Sequence, residues 1–390
     1  MKLVTLSTLY PNVIQQHHGI FVEQRLRHLV AAGDIESKVV APVPWFPLKS
    51  EIFNKYAKYA RVPREDTRFN ISVLYPRYIV IPKVGMSLTP FLMAMSVGLT
   101  LNRMIKNGYD FDLIDAHYFY PDGVAAMILG KIFNKPVVIT ARGTDLNLIP
   151  RYKIPKRLIK WAAANAAALI TVCTALKDVL VGLGIPADKV SVLRNGVDLD
   201  MFRPPEDRNA IRKKLGINRR TILSVGHLIP RKGHDLVIEI LERIADLDLI
   251  IIGEGPEDRN LHDLVVKKKL QRRVRFFETV PQEILRDYYG AVDILVLASS
   301  REGWANVLLE SMACGTPVIA TKVWGTPEVV TKAVAGILSD ACDVESLSKS
   351  VKELFDNYPD RNQTRQYAEK YSWDETTFAQ KIIFTKLISG

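Results

Sequence analysis

The stretch from Ala298 to Ala320, ASSREGWANVLLESMACGTPVIA, decides the fold. Ile294, Leu295, Val296 and Leu297 form an apolar run that stops at Ser299 and Ser300. Gly303 permits a sharp backbone turn. Val307, Leu308, Ser311 and Met312 then recur at helical spacing, and Gly315 and Pro317 end the helix. Pro317 to Thr321 opens a second apolar strand. Strand, polar loop, helix and strand in this order make a βαβ unit, the building block of a doubly wound α/β sheet.

Two carboxylates stand out in this unit. Glu302 lies in the loop before the helix, and Glu310 lies about two turns further along. A helix start offers backbone N–H groups and the positive end of the dipole, which suits a phosphate. Here the donors are the amides of Ala305, Asn306 and Val307. A carboxylate in the preceding loop can accept from sugar hydroxyls, and one two turns down can accept from a ribose. The same spacing also fits an ordinary βαβ unit with a solvated Glu302 and a surface Glu310.

The dense run Glu302-Gly-Trp-Ala-Asn-Val-Leu-Leu-Glu310, followed by Ser-Met-Ala-Cys-Gly-Thr-Pro-Val, resembles the signature of the family-4 retaining glycosyltransferases, E-x7-E and then G-x-P-V. The resemblance implies a GT-B fold: two Rossmann-like doubly wound domains facing each other across a cleft, with the last helix crossing back to the N-terminal domain. It places Gly303, Trp304, Ala305, Asn306, Val307 and Glu310 against a nucleotide-sugar, and makes Glu302 catalytic.

Other segments extend the resemblance. Ser224-Val-Gly226-His-Leu-Ile-Pro-Arg231-Lys232-Gly233 follows the first strand of the second half. Gly226 permits a tight turn, and Arg231 and Lys232 put two cations at the strand's carboxyl end, where open α/β sheets bind ligands. Two cations suit a diphosphate leaving group, whose charge grows as the glycosidic bond breaks. The family pattern here is G-R-x4-K-G. Lys232 matches it, while His227 stands in the arginine position. The second charge comes from Arg231, the preferred candidate, or from His227. Gly253-Glu-Gly255-Pro and the loop at Thr279-Val280-Pro281 resemble the family's donor-pocket loops, so Gly253 and Val280 join the donor set.

In the first half, Asp115-Ala-His117 ends a strand and resembles the family's D-x-H near the transferred sugar; His117 is expected to touch it. Arg142-Gly-Thr-Asp145 resembles H-G-x-D with Arg in place of His. Gly19, after the first strand, stands where backbone can approach a phosphate or sugar. Asn195-Gly196 reads as a turn. His17 and His18 complete no metal pattern, and no metal site or cofactor is expected.

At 390 residues the chain holds two domains. The expected division is 1–205 as an acceptor-binding Rossmann-like domain, 206–370 as a nucleotide-sugar-binding one, and 371–390 as a closing helix anchored by Trp373. The linker is read at Arg203–Asp207. Three widely spaced cysteines, Cys173, Cys314 and Cys342, in apolar contexts read as buried free thiols of a reducing cytosol. No apolar run is long enough to span a bilayer.

The net charge of +11 is unevenly spread. Residues 1–205 hold 26 Lys and Arg against 15 Asp and Glu, whereas the second half is balanced. A basic half suggests an anionic partner. Arg151–Lys160 carries five cations, and Leu88–Leu101 is unusually apolar. Together they fit a protein lying peripherally on anionic lipid at the inner membrane face, and each also fits an ordinary helix. Nucleic-acid binding is disfavoured: aromatic–basic interleaving is sparse and no recognition motif appears. A sugar-nucleotide epimerase of the same fold lacks the two-glutamate signature. The expectation is therefore a metal-independent retaining hexosyltransferase of cell-surface or exopolysaccharide synthesis. Its donor is a UDP- or GDP-sugar, with UDP preferred, and its acceptor a glycan or a lipid-linked glycan.

Overall fold

The computed structural model describes residues 1–46, 55–81 and 85–389. The chain forms two compact units: Met1–Asn195 with Asp374–Gly390, and Gly196–Trp373.

In the first unit the strands are β1 (Lys2–Leu6), β2 (Glu36–Val40), β3 (Val43–Pro44), β4 (Glu65–Arg68), β5 (Ile71–Leu74), β6 (Arg77–Tyr78), β7 (Leu113–His117), β8 (Val137–Ala141), β9 (Ala168–Thr171) and β10 (Val190–Val192). Eight of them form one sheet in the order β10-β9-β8-β7-β1-β2-β5-β4, and β3 pairs with β6 apart from it. All pairs in the large sheet are parallel except β4 with β5. The central strands β7 and β8 are buried along their whole length, as parallel strands covered by helices on both faces must be. The polar strand β4, EDTR, lacks the apolar run of the others and is not legible as a strand in the sequence.

The second unit contains β11 (Arg220–Val225), β12 (Leu247–Ile252), β13 (Val274–Phe277), β14 (Ile294–Leu297), β15 (Val318–Thr321) and β16 (Gly336–Ser339). They form one sheet, β13-β12-β11-β14-β15-β16, with every pair parallel. Its core joins Ile222, Leu249, Ile251, Ile294 and Val296 of the sheet to Val237, Ile238 and Leu241 of the helix His234–Arg243.

The division between units falls at Asn195 and Gly196, not in the proline-rich segment Arg203–Asp207. The reason is in the hydrogen bonds. Val197 N–H donates to the Tyr371 carbonyl at 2.8 Å. Arg365 donates to the carbonyls of Phe202 at 2.5 Å and Leu199 at 3.1 Å. Residues 196–202 are thereby tied to the second unit. The last helix, Trp373–Ser389, returns to the first unit: Phe384 is fully buried with Leu3, Leu26 and Val39, and Ile383 and Leu387 pack against that core. Trp373 itself is grouped with the second unit, where a Cβ on Gly196 would stand 2.6 Å from its backbone nitrogen. Of the three cysteines, Cys173 and Cys314 are buried, but Cys342 is exposed, against the sequence expectation.

Candidate active site

In the second unit the strand order reverses between the parallel neighbours β11 and β14: β12 and β13 extend from one side of β11, and β15 and β16 from β14. Strand order turns at this point, and doubly wound sheets bind ligands at the carboxyl ends of the strands beside such a turn. The loop after β11 carries Gly226, Arg231 and Lys232, and the loop after β14 carries Ser299 and Glu302.

The two loops meet through charge. Lys232 Nζ donates to Glu302 Oε1 at 2.6 Å, and Ser299 Oγ donates to the same oxygen at 2.7 Å. Arg231 Nη1 stands 3.6 Å from Glu302 Oε2 and donates to the Arg301 carbonyl at 2.8 Å. Ser300 N–H donates to the Arg231 carbonyl at 2.9 Å, so the backbones are joined as well. Glu302 is only 7% exposed. Burial alone raises its pKa, but attraction to Lys232 and Arg231, with the bonds from Lys232 and Ser299, outweighs burial and holds the carboxyl below its ordinary value. Glu302 is therefore an anion between two cations. Of the two candidates for the second charge, Arg231 lies against Glu302, whereas His227 is exposed on the loop.

The helix after this loop is Asn306–Ala313, with Ala305 at its N-cap and no side chain capping it. Glu310, on its second turn, accepts from the Tyr289 hydroxyl at 2.9 Å. Burial pushes the Glu310 pKa up to about 7 against the lowering effect of that bond. Gly303, Trp304 and Ala305 are buried, and the Trp304 ring lies 6.3 Å from that of Tyr371. Val307 is half-buried.

The loops after β12 and β13 adjoin that after β11. Gly253 has φ +155°, and a Cβ there would lie 1.9 Å from the Gly226 carbonyl oxygen; only glycine lets these two turns touch. The Lys232 stem passes over Gly226, 3.5 Å from the position of a Cβ there. Thr279 N–H donates to Glu254 at 3.4 Å, which ties the loop bearing the half-buried Val280 to that bearing Gly253. Behind them His234 is buried, with Nδ1 2.8 Å from Ser224 Oγ, and burial pulls its pKa down to about 4.

In the first unit the sheet reverses between β1 and β7. His117, at the end of β7, does not face an open surface. It is 1% exposed and both ring nitrogens are engaged: Arg142 Nη2 lies 2.5 Å from Nδ1, and Asp115 Oδ2 lies 3.0 Å from Nε2. A guanidinium has no acceptor, so Nδ1 accepts and Nε2–H donates. Burial, assisted by Arg142 and opposed by Asp115, lowers the His117 pKa to about 4, so the ring is neutral. The network continues through Arg142 to Asn195 Oδ1 at 2.9 Å, and from Asp115 through Gln380 to Arg25, at 3.2 and 2.7 Å. The sugar contact expected of His117 finds no ring nitrogen left to make it in this arrangement. Asp145 accepts from the backbone N–H of Phe119 at 2.8 Å and Gly143 at 2.7 Å, bracing the loop after β8. Gly19 has φ +73°, and a Cβ there would lie 2.3 Å from the Leu9 carbonyl; close packing of the loop after β1 demands glycine.

Sequence reasoning missed Ser299, Tyr289, Arg25 and Gln380. Ser299 borders the loop and its type alone could have suggested a hydroxyl donor to Glu302. The other three carry no local signal.

Two family models match the chain. Residues 20–201 match the model described as Glycosyltransferase Family 4, and residues 207–371 that described as Glycosyl transferases group 1. The chain belongs to the family-4 glycosyltransferases. It is 29% identical over 338 residues to TuaC of Bacillus subtilis, a glycosyltransferase named for teichuronic acid biosynthesis, covering 85% of this chain and 84% of that one. It is 28% identical over 312 residues to the D-inositol 3-phosphate glycosyltransferase of Corynebacterium efficiens, covering 73% of each. Among solved structures, the sucrose-phosphate synthase of Thermosynechococcus elongatus superposes with a TM-score of 0.82 at 19% identity, over all of both chains. HepE of Anabaena, solved with UDP-glucose, gives 0.74 at 19% identity, again over all of both. At such identities these likenesses speak for the fold, which is GT-B, with two Rossmann-like domains. The family-4 transferase has no helix among the described residues long and apolar enough to cross a membrane.

Proposed function

We propose that this glycosyltransferase moves a hexosyl unit, with retention at the anomeric carbon, from a nucleoside-diphosphate sugar to a glycan or lipid-linked acceptor in cell-surface polymer synthesis. The observation that carries the reading is the charge arrangement at the carboxyl ends of β11 and β14, where Lys232 and Arg231 stand together on one buried carboxylate, Glu302. A diphosphate laid beside that cluster meets two cations and the start of the helix Asn306–Ala313. The UDP complexes of HepE favour a UDP donor over GDP, and the name of TuaC favours an envelope polymer.

The roles follow from the chemistry. Lys232 and Arg231 hold the diphosphate with the helix N–H groups of Asn306 and Val307, and their charge stabilises it as it leaves. Glu302 orders the two cations and accepts from sugar hydroxyls. Glu310 accepts from the ribose in place of the Tyr289 hydroxyl. Gly226, Gly253, Val280, Gly303, Trp304 and Ala305 shape the walls. The bond from the anomeric carbon to the diphosphate oxygen breaks as the acceptor oxygen bonds to the same face of that carbon. The acceptor's proton passes to the departing oxygen, so no enzyme carboxylate forms a covalent intermediate. His117 and Arg142 hold the first unit's loops, and Gly19 allows its β1 loop to pack.

A panel of UDP- and GDP-sugars, screened for thermal stabilisation and slow hydrolysis, tests this reading. One UDP-sugar should stabilise the protein and be cleaved with release of the α-anomer from an α-linked donor. Release of the inverted anomer, or no response to any nucleotide-sugar, would refute it.

A further inference from the structure

Glu310 has a hydroxyl partner within the protein itself. The Tyr289 hydroxyl donates to Glu310 Oε2 at 2.9 Å, and among the described residues no other hydrogen bond or ion pair reaches that carboxylate. The phenol is held in place from several sides. Tyr289 lies on the helix Gln282–Ala291, which packs on Asn306–Ala313, and it is fully buried. Its ring stands edge-on to Phe202, with centroids 6.0 Å apart and planes at 64°. Its carbonyl accepts from Thr316 Oγ1 at 2.5 Å. Burial and the charge of Glu310 raise the phenol's pKa well above its ordinary value, so the hydroxyl keeps its proton and donates.

This pairing has a consequence for nucleotide choice. A site built to accept from a substrate hydroxyl rejects an analogue lacking it by several orders of magnitude, because a buried polar group is then left unpaired. Glu310 escapes that penalty. A ribose hydroxyl that reaches it replaces one O–H donor by another. A deoxyribose leaves it on Tyr289. Either way the carboxylate keeps one O–H donor, and exchanging equivalent hydrogen bonds changes affinity little.

We propose that Tyr289 is a specificity-determining residue: by keeping the Glu310 carboxylate hydrogen-bonded when a ribose hydroxyl is missing, it opens the donor site to deoxyribonucleoside diphosphates as well as ribonucleoside diphosphates. The inference rests on the reading of Glu310 as the ribose acceptor. It extends the donor class to sugars carried on a deoxynucleotide. A tyrosine kept for packing alone would affect the stability of the helix pair and have no influence on this choice.

The test is calorimetric titration of UDP, 2′-deoxy-UDP and 3′-deoxy-UDP into the full chain at pH 8, above the Glu310 pKa of about 7. Wild type should bind both deoxy analogues within about threefold of UDP. In Tyr289→Phe the ribose becomes the only hydroxyl donor to Glu310, and at least one analogue should bind about tenfold or more weakly than UDP. Tyr289→Phe combined with Glu310→Gln removes the buried charge, and the preference should fall back to the wild-type level. A lower melting temperature for Tyr289→Phe with an unmoved ratio would overturn the proposal, since that is the mark of packing. Should that variant not fold, wild type decides: discrimination of about tenfold or more against either analogue overturns it. Tight UDP binding with such discrimination strikes this inference alone, whereas absence of UDP binding by wild type strikes the donor reading and this inference with it.

Discussion

Lys232 Nζ and Glu302 Oε1 are 2.6 Å apart across the carboxyl ends of β11 and β14, and they come from loops seventy residues apart in sequence. The pair sets the local electrostatics at these strand ends. Glu302 keeps the two cations in place, and it also repels an incoming diphosphate. Glu302→Ala should therefore raise affinity for UDP a few-fold, by removing a competing anion, while turnover falls by on the order of 10²–10³. Calorimetric titration beside initial rates separates the two effects. Unchanged turnover would remove Glu302 from the chemistry.

Glu310 carries a trade-off. Its folded pKa of about 7 is raised by burial above the ordinary carboxyl value of 4.5, so the folded state holds the proton more tightly. Stability from this group is then fully present below the unfolded value and is lost as pH rises through about 7. Glu310→Gln removes the buried charge and should stabilise the protein above pH 7, by at most about 3 kcal/mol. The same substitution should weaken donor binding above pH 7, because an amide offers a poorer acceptor to the ribose. Melting and UDP titrations at pH 6 and 8 report both. A parallel loss of stability and binding would contradict the assignment.

His117 and His234 give the opposite pH response. Each is buried and neutral, with a pKa lowered to about 4 from 6.5. The unfolded chain binds more protons between these values, so stability falls as pH drops from about 6.5 toward 4. His117→Gln, which cannot be protonated, should flatten part of this acid limb in urea melts. An unaltered limb would show that the His117 network does not control it.

Chelation should leave the rate intact. On the proposed reading, Arg231, Lys232 and the start of the helix Asn306–Ala313 supply the positive charge that a divalent cation provides elsewhere. Rates in EDTA should equal those in buffer. A loss restored by magnesium or manganese would reverse this.

Much of the fold was legible because its signals are local. The apolar run Ile294–Leu297, the loop to Glu302 and the helix at Asn306 are each specified within a few residues. The meeting of Lys232 and Glu302 was legible at one remove, since both follow strands on either side of the point where sheet order turns. The hydrogen-bond network around His117 was not legible, because its surroundings come from elsewhere in the chain. Arg142 reaches it from the next strand's loop, and Gln380 reaches Asp115 across 265 residues. A histidine at a strand's carboxyl end looks the same in sequence whether it faces a ligand or a buried guanidinium. The compact units divide ahead of the linker read at Arg203–Asp207 for a related reason. Paired prolines at Pro204 and Pro205 look like a linker, but the carbonyls of Leu199 and Phe202 are held by Arg365, a contact no local pattern announces.

On the proposed reading, fixed cations on the loop after β11 hold a nucleoside diphosphate. Titration of UDP and of uridine into the wild type and Lys232→Ala tests it most directly. Wild type should bind UDP well above uridine, and the variant should lose on the order of tenfold or more for UDP alone. Equal UDP affinity in the two proteins would contradict the account.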